Sequence, residues 1–178
     1  MASYFNDFTT GGIPENGFPG QTSGVCMFDA SLPALSNDIF FGAPVKNGVS
    51  GVSPNQSGVS LINDTSDNIL GFAKRVSNRE FQSSQPPMSY TFAEGDMINF
   101  VYVGIIYLRC QVPISRAAPV LFMIAKEGTP GDGSVGLLTT SNIGALQARV
   151  IPVSDIVRPL ENSGSSPIVK CFVNTNFM

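Results

Sequence analysis

The sequence predicts an all-β fold, a β-sandwich or jelly-roll-like barrel preceded by an extended N-terminal arm. Three observations predict it. Runs rich in Val, Ile, Phe and Tyr recur from residue 39 to residue 174, with turn residues between them. No segment keeps an apolar stripe at helical spacing for three turns, because 18 Gly and 13 Pro interrupt the pattern. The longest apolar run, GDMINFVYVGIIYLRCQV (95–112), alternates in the manner of a strand. Ile98, Phe100, Tyr102, Ile106, Leu108, Cys110 and Val112 share one parity there, whereas Asn99, Arg109 and Gln111 share the other. That pattern predicts one dry face and one partly wet one. Gly104 splits the run into halves of strand length, marking a bulge or a tight turn. A hairpin is the closer fit, since one strand of this length would far exceed the usual ~5–6 residues.

Residues 1–37 read as an arm, with a body over 38–178. Gly11, Gly12, Pro14, Gly17, Pro19, Gly20 and Gly24 punctuate the arm too densely for a regular element. Tyr4, Phe5, Phe8, Ile13 and Phe18 are nevertheless large and apolar, and a purely disordered tail seldom carries such residues. They suit a segment that orders by laying its aromatics on a neighbouring subunit. In the body, IFFGAPV (39–45) reads as a strand interrupted by Gly42 and Pro44, NGVSGVSPNQSG (47–58) as turns, and GVSLI (58–62) as a strand. NDTSDN (63–68) is a turn, ILGFAKRV (69–76) a strand, and 77–88 a Ser-rich loop ending in Pro86-Pro87. PVLFMIA (119–125) and VGLLTT (135–140) make a second hairpin across the EGTPGDGS loop (127–134). SNIGALQAR (141–149) is the place for a short helical turn, RVIPVSDIV (149–157) a strand broken at Pro152, and PIVKCFVN (167–174) the closing strand. In that last strand Val169, Cys171 and Val173 oppose Ile168, Lys170, Phe172 and Asn174.

Composition bounds the function. A chain of 178 residues that is 43% hydrophobic supports one domain burying about 70% of its unfolded surface. Only 13% of residues are charged, against about 25% in an average domain. A weakly charged exterior costs less to desolvate against a partner. The net charge is −3 and the ten basic residues are scattered, with Lys74, Arg75 and Arg79 the one cluster. No basic stripe is present to displace phosphate counterions, which argues against direct nucleic-acid contact. MASYFNDFTT lacks the features of a secretory leader, and no apolar run reaches the ~20 residues that span a membrane. Cys26, Cys110 and Cys171 form no CxxC pair. Buried free thiols are expected at Cys110 and Cys171, with a disulfide between them left open.

The chain has no histidine, which removes the commonest general base and zinc ligand together. Neither catalytic nor cofactor or metal-binding residues are assigned. Glu94 and Asp96 read as turn formers around Gly95 rather than as a catalytic pair. Asp64 and Asp67 fail the spacing of a calcium loop and read as Asx turns. GTPGDG (128–133) lacks the Lys-Ser/Thr of a phosphate loop. Lys74, Arg75 and Arg79 suit an acidic partner patch or, more simply, a protected strand edge.

FFGAPV (40–45), ILGFAKRV (69–76), YTFAEGDMINFVYVGIIYLR (90–109) and APVLFMIAKEGTPGDGSVG (118–136) follow one another in a particular order. That order resembles the head-decoration, or structural cement, proteins of tailed bacteriophages. The chain departs from them in setting Val103 and Ile105 around Gly104, where basic residues are frequent, and in its long aromatic arm. The resemblance implies a non-enzymatic virion protein, made in the host cytoplasm and bound outside the major capsid protein shell as a homo-oligomer, dimer or trimer. It implies contact with neither nucleic acid nor membrane, and no cofactor. The expected capsid or subunit interface is Tyr4, Phe5, Phe8, Ile13 and Phe18 of the arm with Lys74, Arg75 and Arg79. The alternative is a carbohydrate- or receptor-binding β-sandwich on a virion or cell surface.

Overall fold

The computed structural model describes residues 18–23, 28–49, 57–75 and 91–175. Its strands are β1 (Phe28–Pro33), β2 (Pro44–Val49), β3 (Ser57–Leu61), β4 (Gly71–Ala73), β5 (Met97–Arg109), β6 (Phe122–Ile124), β7 (Leu138–Thr139), β8 (Val150–Pro152), β9 (Val157–Pro159) and β10 (Ile168–Asn174). A seven-stranded sheet runs β3-β2-β4-β5-β10-β9, with β1 also on β5, and a three-stranded sheet runs β7-β6-β8. All the paired strands are antiparallel. The fold is therefore all-β and sandwich-like, as the sequence predicts. The helical turn expected in 141–149 is a 3-10 turn at Gly144–Leu146. Among the described residues no helix is long and apolar enough to cross a membrane.

The region around Gly104 differs from the expected hairpin. β5 is one continuous strand of 13 residues, bonded to β10 through Gly104 itself, which faces Val173. A long strand is tolerated here because partners line both its edges, so few of its backbone groups are orphaned. The irregularity lies nearby, opposite β1: Phe28 pairs with Val103 and Asp29 with Val101, leaving Tyr102 as the extra residue of a bulge. One extra residue exchanges the faces of everything beyond it. Before the bulge, Ile98 and Phe100 enter one apolar core with Ile39, Phe41, Val45, Val59 and Phe92, while Val101 points to the other side. After it, Ile106, Leu108 and Cys110 enter the opposite core, against Val169, Cys171 and Val173 of β10 and Met123 and Leu138 of the small sheet. Apart from Val101, the buried side chains of β5 share a parity, as the sequence shows, yet lie on both sides of the sheet.

β5 also bends. Lys74 N donates to Asn99 O, Arg75 N donates to Gly20 O, and Gly20 N donates to Tyr107 O. This short path joins two points of β5 that an extended strand would separate by about 26 Å. The sheet thus rolls until its hydrogen-bonded network closes on itself at Gly20. Gly20 has φ 71° and Gly42, beside it, φ 78°. A Cβ on Gly20 would lie 2.7 Å from Gly42 N and 2.9 Å from Ala73 O. Glycine is required here both for its conformation and for the space.

Residues 28–37, within the segment assigned to the arm, belong to the body. β1 adds to β5, Ala34 is buried in the second core, and Leu35 N donates to Val59 O. The strand expected over 39–45 starts later, at Pro44, and extends into the expected turns; Phe40 makes only an isolated bridge to Thr91. RVIPVSDIV does not form one broken strand. Pro152 ends β8, Ile156 N and Val157 N turn back to Val153 O, and β9 then joins the other sheet. The Ser-rich loop of 77–88 lies outside the described residues.

Cys110 and Cys171 are buried free thiols, and burial raises the pKa of both. Both are therefore expected to react with a disulfide reagent only as fast as the native state opens, and to react at once in denaturant. Gly20→Ala is expected to lower stability by about 2–4 kcal/mol in urea unfolding, combining left-handed strain with backbone crowding. Gly131→Ala, also at positive φ (79°) but with open space around its Cβ, is expected to lose about 1 kcal/mol. Equal losses at the two positions would show that the closure at Gly20 is not tight.

Candidate subunit-contact surface

Of the residues expected at an interface, Phe18, Lys74 and Arg75 are described; Tyr4, Phe5, Phe8, Ile13 and Arg79 lie outside the described residues. The closure at Gly20 brings Phe18 and Arg75 together, with the Arg75 guanidinium carbon 3.7 Å from the centre of the Phe18 ring. Such stacking favours the cation electrostatically and shields the ring. Phe18 N is held by Gln21 Oε1 at 3.0 Å. Lys74 Nζ lies 3.2 Å from Asp29 Oδ2 on β1. These three side chains therefore fasten the N-terminal segment to its own body.

An apolar strip lies elsewhere, on the side of the large sheet away from the small one. In a ladder, directly opposed residues share a face. Phe28 opposes Val103, Ile105 opposes Phe172, and Phe172 opposes Arg158. Phe28 is 58% exposed and Phe172 37%, with Val103 and Ile105 half-buried between them. The Phe28 and Tyr102 rings lie 6.2 Å apart, so the bulge residue belongs to the strip as well. Lys170, whose ammonium sits 5.9 Å from the Tyr107 ring, and exposed Arg158 give one border a positive charge. The sequence named neither Phe28 nor Phe172 as interface residues. The signal was present at Val103 and Ile105, apolar on the parity opposite Ile106, Leu108 and Cys110.

At Tyr102 the strip runs into an open cleft of about 760 Å³. Leu32, Phe100 and Tyr102 line it, under a rim that includes Lys46, Asn47 and Asn68. The rim is braced by Asp67, whose Oδ2 accepts from Lys46 Nζ at 2.8 Å and from the N–H groups of Asn63 and Asp64 at 2.9 Å. Partial burial pushes the Asp67 carboxyl pKa up, but these hydrogen bonds and the nearby lysine outweigh it and hold the pKa below its ordinary value.

The carboxylates of Asp64, Asp96 and Asp132 serve turns. Asp96 Oδ2 accepts from Ala93 N, while Glu94 N donates to Asn37 Oδ1. Asp64 Oδ1 accepts from Ser66 N. Asp132 closes the loop between β6 and β7 by accepting from Gly128 N and Ser134 N, and Arg149 binds it at 3.2 Å.

A carboxylate whose pKa is depressed by folding stabilises the protein above its unfolded value, near pH 3.8. That contribution disappears as pH falls through the folded value. Asp67→Asn is therefore expected to be less stable than the parent chain at pH 6, with the gap narrowing as both are acidified below about pH 4. Urea unfolding at a series of pH values measures it, and a gap independent of pH would remove Asp67 from the account of the rim.

No protein-family model matches this chain, and no curated protein matches it.

Proposed function

We propose that this protein is a structural component of a virion, binding outside a major capsid protein shell and clamping neighbouring subunits. The apolar strip of Phe28, Val103, Ile105 and Phe172 carries the reading: it is an exposed apolar surface on a chain with only 13% charged residues. Surfaces of that kind suit burial against another protein. The resemblance of the motif order to structural cement proteins supports the same role. Clamping works by mass action, since a protein that binds only the assembled lattice stabilises that state according to its occupancy. Repetition over many equivalent sites makes modest affinity at each one sufficient. Symmetric junctions between subunits favour a dimer or trimer on a rotation axis.

A second reading, a carbohydrate-binding module, is favoured by the cleft at Tyr102, which combines an aromatic wall with the exposed amides of Asn47 and Asn68. Sugars stack on such rings and bond to such amides. A glycan-array hit that Tyr102→Ala abolishes would replace the first reading with this one.

The first reading predicts that the protein co-purifies with mature heads. It also predicts that heads assembled without it burst at lower temperature or milder osmotic shock, and regain resistance when the purified protein is added. Phe172→Asp is expected to weaken that rescue at least tenfold in the concentration required, about 1.4 kcal/mol or more of binding. Heads equally resistant with and without the protein would overturn the proposal.

A further inference from the structure

We propose that the strip of Phe28, Val103, Ile105 and Phe172 receives the aromatic segment Tyr4–Ile13 of a second copy of this chain. The inference deepens the clamping role by naming a self-contact, and it needs no capsid for its test. Three observations carry it.

The first is where the described chain leaves the body. Ser23 N donates to Ile105 O and Gly20 N to Tyr107 O, so this segment, traced towards the N-terminus, runs along β5 away from Phe28. Phe18 then lies beneath Arg75, beyond β4. Phe18 O accepts from Gln21 N in a turn, so the last described residue of the segment is seated against Arg75 and not on the chain's own strip.

The second is reach. Residues 1–17 span up to about 55–60 Å when extended, enough to cross from one small domain to the next. Between Tyr4 and Ile13 they carry four large apolar side chains, the type that an exposed apolar strip takes up.

The third is charge. Residues 1–17 contain Asp7 and Glu15 and no Lys or Arg. The strip is bordered by Arg158 and Lys170, both on the face of Phe172. An acidic, aromatic segment and a basic-edged apolar strip complement one another in both respects. The exchange is reciprocal in a dimer and cyclic in a trimer, and either closes without leaving an open strip.

The test uses the full-length chain with Cys26→Ser, because Cys110 and Cys171 are buried. One population carries Phe8→Cys and another Arg158→Cys, and the two are mixed and oxidised gently. The expected product is a mixed disulfide dimer on a non-reducing gel, suppressed when Phe172→Asp is added to the Arg158→Cys population. Light scattering is expected to show association of the full-length chain, weakened at least about tenfold by Phe5→Asp or by Phe172→Asp. Should Phe172→Asp unfold, Lys170→Glu at the strip's border reports on the same contact. A monomeric full-length chain, association indifferent to these substitutions, or a Phe8→Cys/Arg158→Cys double variant that links only within one chain would each overturn the proposal. Loss of self-association with capsid binding retained would sink this inference alone. Retained self-association with no effect on heads would sink the clamping role alone.

Discussion

The closure at Gly20 is the constraint on which the rest of the architecture depends. A strand of 13 residues left straight would overrun the core that a chain of this size can fill. β5 instead bends, and the backbone of Gly20 spans the gap between Tyr107 and Arg75. The approach of Gly20 to Gly42 leaves no volume for a side chain on Gly20. Closure satisfies backbone groups that a rolled sheet would otherwise leave bare, and it removes an edge that invites pairing with other chains. The Phe18–Arg75 stack and the Lys74–Asp29 pair then hold the N-terminal segment against the body.

The bulge at Tyr102 has a different effect. By exchanging the faces of β5, it lets one strand serve two apolar cores on opposite sides of the sheet. The small sheet covers one side beyond the bulge. On the other side, Phe28 and Phe172 are left in the open. The exposed strip and the doubled core thus share one cause, an extra residue in one strand.

Much of the fold was legible because it rests on local chemistry. Turn residues placed β3 and β10 to within a residue, while β6 and β7 are shorter than the runs 119–125 and 135–140 that contain them. Alternation set Val169, Cys171 and Val173, which the structure turns inward, apart from their neighbours on β10. The turn roles of Asp64 and Asp96 followed from short side chains that bond to nearby backbone. What failed was non-local. Gly104 looks like a hairpin because glycine permits a turn, and only its pairing with Val173 across β10 shows that it continues the strand. The assignment of β1 to the body depends on β5, which lies more than sixty residues along the chain. The candidate surface was only half legible. Lys74 and Arg75 announced themselves by charge and are engaged within the chain, whereas Phe28 and Phe172 look like core residues until the register puts them on an uncovered face.

The closure also bears on the order in which the chain takes shape. Gly20 leaves the ribosome before either of its partners, and Tyr107 follows 87 residues later. β5 must likewise wait for β10, near the far end of the sequence, before the larger core can form. Contacts so distant along the sequence carry a loop-closure entropy that is met before any burial repays it. Closure at Gly20 and assembly of the larger core are therefore expected to be slow steps of folding, set by contacts far apart along the chain.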